Sequence, residues 1–172
     1  MQGIGDVWGM AADKWDEVMA QVGDDDWDKS TPCDDWTVRE LVDHAMFWQG
    51  RGGGVFGASA DEGDWAGLRA SISEKLSDPA NMEGEAEALG GMPKPAVAGL
   101  ITADLLVHAW DLATAIGADA TLPAVAAEST MIGLQRLPDE MLRSPNMFGP
   151  AVEVADDASA SDRLIGFVGR QP

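Results

Sequence analysis

The stretch from Ala96 to Ile116 is apolar on nearly every side, and it decides most of what this chain can become. A helix that is apolar all round has to be surrounded, either by lipid or by other helices. This one is long enough to span a bilayer, but Asp104, His108 and Asp111 interrupt it, and ionisable groups are costly in hydrocarbon. It reads as the central helix of a soluble bundle, starting after Pro95 and stopped by Gly117.

The remaining chain supplies helices to surround it. Ile4, Trp8, Ala11, Trp15, Val18 and Val22 step by three or four residues and place a first helix at about 4–22. Thr37-Val38-Arg39-Glu40 is a capping box, and Leu41, Val42, Ala45 and Trp48 continue a second helix that frays at Arg51-Gly52-Gly53-Gly54. Trp65, Leu68, Ile72 and Leu76 mark a third at 64–76, and a fifth is expected over about 124–142. Residues 77–95 are rich in Gly, Pro and Glu without a period, a long crossover. Residues 151–154 alternate, and Ser161-Asp162 opens a last amphipathic turn. The expectation is an all-α fold of one domain, residues 1–172: a four-helix bundle with a long crossover, an extra C-terminal helix and a short extended tail.

Charge narrows the function. With 11 Lys and Arg against 30 Asp and Glu in 172 residues, the net charge is -19, which repels nucleic acid and anionic membrane surfaces alike. One cysteine, Cys33, excludes an internal disulfide, and the N-terminus lacks the basic region and apolar run of a signal peptide. A cytoplasmic protein with neither nucleic acid nor membrane as partner is expected.

Both histidines of the chain, His44 and His108, fall on apolar helix faces. Asp104 lies one turn before His108 in the same stripe, and a buried ionised carboxylate must pair, protonate or bind a cation. His44, spaced by three and four from Leu41 and Trp48, borders the buried face of the second helix and can point across. Two imidazoles and a carboxylate make a three-ligand site for zinc or another borderline divalent ion, with one position open. The alternative is a plain buried Asp–His hydrogen bond.

Two segments carry a resemblance. Thr31-Pro32-Cys33-Asp34-Asp35-Trp36-Thr37-Val38-Arg39-Glu40-Leu41-Val42-Asp43-His44 and Asp104-Leu105-Leu106-Val107-His108-Ala109-Trp110-Asp111-Leu112-Ala113 resemble the paired motifs of the mycothiol-dependent maleylpyruvate isomerase N-terminal domain, within the DinB-like superfamily. The tail from Phe148 to Val154 and on to Leu164 is similar to a subgroup of uncharacterised actinobacterial proteins in that family. The resemblance implies a DinB-like four-helix bundle whose divalent metal, usually zinc, is held by His44, Asp104 and His108, with nickel or manganese as other candidates. It also implies mycothiol or a similar small thiol as cofactor, an electrophile as substrate, and thiol transfer or isomerisation as reaction. The isomerase has Glu where Asp104 stands, and a further C-terminal domain that contributes to its active site, whereas this sequence ends at Pro172. The expectation therefore rests on metal and thiol rather than on maleylpyruvate itself, and a non-catalytic metal-binding bundle that docks a partner is the alternative. A homodimer is compatible with either.

Other residues carry two readings each. Asp111 either orients a ligand from behind or bonds to a neighbouring amide or indole. Cys33 is a fourth ligand, a reactive thiol or, more plainly, a small buried residue. Arg51, seven residues after His44, is the candidate cofactor-binding residue for an anionic group; the preferred plain reading is a cation at a helix C-terminus. Trp8 and Trp15 read as core, Trp48 and Trp110 as pocket walls, and the acidic run Asp24 to Asp28 as a solvated connector.

Overall fold

The apolar stretch forms α4, Lys94–Ile116, in a computed structural model that describes residues 3–33, 35–145 and 147–172. Asp34, inside the first motif, and Met1 and Gln2 at the start of the chain lie outside the described residues. Pro93 and Pro95 begin α4 where a missing N–H costs nothing, and Gly117, at φ 75°, ends it in the left-handed conformation that glycine adopts freely. By length and composition α4 is the one described helix apolar enough to cross a membrane, yet 78% of its most apolar window is buried inside the protein.

Around it stand α1 (Ile4–Met19), α2 (Val38–Gly54) and α3 (Trp65–Ser77). α4 packs on α1 and α2, and α3 packs on the same two from the other side, so the four close a ring in the order α1, α4, α2, α3. The fold is all-α and DinB-like, a four-helix bundle with its long crossover between α3 and α4. That crossover is better ordered than its composition suggests: two 3-10 turns and a miniature antiparallel ladder, β1 (Glu85–Ala86) with β2 (Met92–Pro93), occupy it. Gly90 and Gly91, both at positive φ, turn the chain between the two strands.

α5 (Ala124–Leu134) covers α4 and α1 on the outside, and α7 (Ala160–Phe167) packs on α5. The single fifth helix expected over 124–142 is two. It stops at Leu134, and α6 (Asp139–Leu142) restarts after Pro138, whose ring and missing N–H break the ladder of an uninterrupted helix.

The second correction concerns the glycines of α2. Instead of fraying, Gly52 and Gly53 are helical and buried, because α2 passes closest to its neighbours there. A Cβ on Gly52 would collide with the Ile101 side chain of α4, and one on Gly53 would stand 2.8 Å from Ile72 of α3. Gln49 locks the same crossing: fully buried, it accepts from the Trp8 indole N–H at 3.0 Å and donates to the Ile101 carbonyl at 2.8 Å. Backbone approach and a satisfied buried amide thus set the register of α2 on α4, and His44 lies two turns back along that fixed contact.

Candidate metal centre

His44 faces α4 because Thr37 caps α2 in the right phase. The Thr37 hydroxyl accepts from the Glu40 amide, and the Glu40 carboxylate accepts from the Thr37 amide at 2.8 Å and from its hydroxyl at 2.7 Å, two bonds that hold it below its ordinary pKa. The structure brings His44, Asp104 and His108 together, with one ligand atom from each lying within 4.8 Å of the others. Asp104 Oδ1 is 3.4 Å from His44 Nε2 and 3.5 Å from His108 Nε2. Charge-assisted N–H···O bonds run to about 2.7–2.9 Å, so these contacts are too long for a tight ion pair. Two donors on a tetrahedral ion at about 2.0–2.1 Å each stand about 3.3–3.4 Å apart, which is the spacing observed. The two imidazoles meet edge to face, centroids 5.0 Å apart and planes at 84°.

The second nitrogen of His108 settles its hydrogen. Nδ1 is 2.9 Å from Oδ2 of Asp111, and a carboxylate only accepts, so Nδ1–H donates and the neutral ring keeps the Nε2 lone pair toward Asp104. Nitrogen and oxygen lone pairs facing each other repel unless a cation or a proton stands between them. Without an ion the proton takes that place: burial opposes charging His108, but the carboxylate of Asp104 and bonds to Asp104, Asp111 and Cys33 hold its pKa well above the ordinary value. Burial likewise disfavours the Asp104 anion, and the two imidazoles outweigh it and lower its pKa.

Asp104 Oδ2 is buried and has no hydrogen-bond partner among the described residues. A buried oxygen of that kind is rare, and an ion between Asp104 and the imidazoles supplies the positive charge the carboxylate lacks. Two imidazoles and one carboxylate are donors suited to zinc and its neighbours. The residues present therefore fit a divalent metal.

Asp111 is the opposite case. Fully buried, it receives Nε and Nη2 of Arg170 at 3.1 and 2.9 Å, Nδ1–H of His108, and the Cys33 thiol at 3.2 Å. Burial raises its pKa, but His108 and Arg170 prevail and bring it down to about 2. Cys33, His108 and Asp111 form a second group of ligand-type atoms, yet both oxygens of Asp111 already accept, Oδ1 from Arg170 and Oδ2 from Arg170, His108 and Cys33. Cys33 sits at the Nδ1 edge of His108, 3.9 Å away, rather than beside Nε2. The fourth-ligand reading of Cys33 is therefore not what the geometry offers.

Over the imidazoles lies Trp36, with its ring 4.4 Å from His44 and 6.1 Å from His108. Trp48 flanks His44 at 6.3 Å, as expected, and stacks edge-on with the exposed Phe47. Trp110, expected as a wall, is instead buried in the core, like Trp8 and Trp15. Arg51 is not drawn into the cluster. It sits in the last turn of α2 and donates to the Ala88 carbonyl of the crossover at 3.4 Å. Trp36 and Arg170 are the residues that sequence reasoning passed over. Trp36 stands inside the quoted motif, whereas nothing local marks Arg170.

Residues 8–88 match the family model of the mycothiol maleylpyruvate isomerase N-terminal domain. This mycothiol maleylpyruvate isomerase match takes in α1 from Trp8 onward, α2 and α3, and includes Cys33, Trp36 and His44. It ends before Asp104 and His108, so the second half of the cluster rests on geometry. Two uncharacterised proteins of Mycobacterium tuberculosis, from strains CDC 1551 / Oshkosh and ATCC 25618 / H37Rv, are each 28% identical over 180 residues, covering 93% of this chain and 93% of their own length. No solved structure matches.

Proposed function

We propose that the protein binds a divalent metal, zinc foremost, through His44, Asp104 and His108, and serves a reaction between a low-molecular-weight thiol and an electrophile. The observation that carries the metal is Asp104, one oxygen spaced for an ion shared with two imidazoles and the other buried without a partner among the described residues. The thiol is taken from the family description, whose name includes mycothiol.

When bound, a divalent ion lowers the pKa of a coordinated thiol or water and polarises a carbonyl. The chain's own residues do the rest. Asp111 accepts from Nδ1 of His108 and so presents Nε2 as a lone pair. Trp36 and Trp48 flank His44 and give the site an apolar wall on that side. Cys33 donates its S–H to Asp111 and is not placed as a nucleophile. A non-catalytic metal-binding bundle is the second reading, favoured by the Phe47 and Trp48 side chains exposed next to the site.

The test is metal content by plasma mass spectrometry on untagged protein beside His108→Ala. About one ion per chain in the native protein and none in the variant is expected. At free metal about 100 times its Kd, linkage stabilises by about 2.7 kcal/mol, so a chelator should lower Tm by about 5–10 °C. An absence of metal after incubation with zinc, nickel and manganese would overturn the reading. Bound metal without turnover in a screen of thiols and electrophiles would leave the partner-docking bundle.

A further inference from the structure

Arg170 is out of place as a stabilising residue. It lies beyond α7, at the far end of the described chain, yet its guanidinium reaches into the bundle and makes a bidentate contact with Asp111 of α4, 59 residues away in sequence. Its side chain is 14% exposed and that of Asp111 is fully buried. Burying both charges has a desolvation cost that the mutual attraction roughly cancels, and an apolar pair of the same volume would stabilise the fold as well or better. An apolar pair could not hold a carboxylate against one nitrogen of an imidazole. Arg170 also reaches Cys33 Sγ at 3.5 Å and the Val168 carbonyl at 3.2 Å, and its own amide bonds to the Ile165 carbonyl at 3.0 Å. Its backbone and its fork are thus both fixed.

We propose that Arg170 is a positioning residue for the metal centre: by clamping both oxygens of Asp111 it holds the carboxylate that orients His108, so that Nε2 faces Asp104 and His44. This inference rests on the metal reading above and adds a residue to it that lies outside the family match. The chain of contacts is Arg170 to Asp111 to His108, with Cys33 filling the corner between them. A lone Asp111 could rotate about its last torsion or take up a proton. With two donors from Arg170 in a planar fork it does neither, and the imidazole is held in one tautomer and one plane.

The arrangement also decides between the two groups of ligand-type atoms that share His108. While Arg170 holds Asp111, its guanidinium places positive charge at the Cys33 edge of His108 and donates to both Asp111 oxygens, so the ion goes to the Asp104 edge.

The test uses the full chain, untagged, stripped of metal and reloaded with cobalt(II), as wild type, Arg170→Leu, Arg170→Lys, Asp111→Asn and Cys33→Ser. Cobalt affinity is read by competition with a chelator, ligand geometry by the visible d–d bands, and folding by far-ultraviolet circular dichroism. Arg170→Leu and Asp111→Asn are expected to bind about 10- to 100-fold more weakly, with altered d–d bands at unchanged helicity. Arg170→Lys, which keeps the charge but not the fork, should recover part of the loss. Should Arg170→Leu lose helicity, Asp111→Asn and Arg170→Lys decide the matter by the same two readouts. Wild-type affinity and spectrum in the folded Arg170 variants would overturn the proposal. So would a thiolate-to-cobalt band that Cys33→Ser abolishes, because the ion would then sit at the other edge of His108. A wild-type protein that takes up no cobalt would overturn the metal reading and this inference with it, which separates the two failures.

Discussion

Asp104 and Asp111 stand two turns apart on one helix and meet opposite fates. Asp111 has donors on both oxygens, while Asp104 has one oxygen without any among the described residues. Their letters in the sequence carry no such difference, since both interrupt the same apolar stripe. The difference comes from Arg170, and it has a consequence in acid. The folded pKa of Asp111, about 2, lies below its ordinary 3.8, so its stabilising share is complete above about pH 4 and is lost as pH falls toward 2. His108 is protonated in both folded and unfolded chains across that window, so it adds no slope. In the metal-free protein, Asp111→Asn should flatten the fall of unfolding free energy between about pH 4 and pH 2, measured by denaturant titration. Asp104, shifted in the same direction, leaves a residual slope. An acid limb as steep as the wild type's would show that Asp111 is not ionised in the folded state.

At the scale of elements, the crossing of α2 over α4 sets where His44 points, and glycine makes that crossing close. Gly52→Ala forces a methyl into Ile101 and should destabilise by about 1–3 kcal/mol. Gly50→Ala, in the same helix with nothing within 4 Å of its Cβ, should stabilise by about 0.4–1 kcal/mol. Urea midpoints that move the same way for both variants would refute close packing as the reason for the glycines. The same glycines mark a limit of sequence reading. A run of three reads as a helix end because propensity is local, while the gain that overrides it is contact with Ile101 and Ile72, which no local pattern displays. The same reasoning explains why His44, Asp104 and His108 were legible. Period alone puts two on one stripe and the third on a buried face, and a fully apolar α4 must be encircled. Pro138 was visible too, and the expected fifth helix passed over a residue whose chemistry forbids it. Trp36 was visible only as a motif letter, because a loop residue has no period to tell which way its ring faces.

At the scale of the molecule, the ring of α1, α4, α2 and α3 is closed by a cover of α5 and α7, and the chain's last stretch is bound back onto both bundle and cover. Val152 donates to the Gly166 carbonyl at 2.8 Å, and Arg143 donates to the Phe167 carbonyl at 3.0 Å with its guanidinium over that ring. Gly169 passes so near Gly149 that a Cβ there would stand 2.9 Å from its backbone. A segment that follows the last helix ordinarily opens at little cost. Here, lifting the tail would pull Arg170 off Asp111 and strand a carboxylate inside the bundle, a state that loses several kcal/mol. Amide hydrogen exchange at Val168–Arg170 should therefore be as slow as in the middle of α4, and fast exchange there in the native protein would contradict the clamp. Residues 168–170 then keep the time of the interior: they open when the whole protein opens, and the orientation of His108 persists for as long as the molecule stays folded.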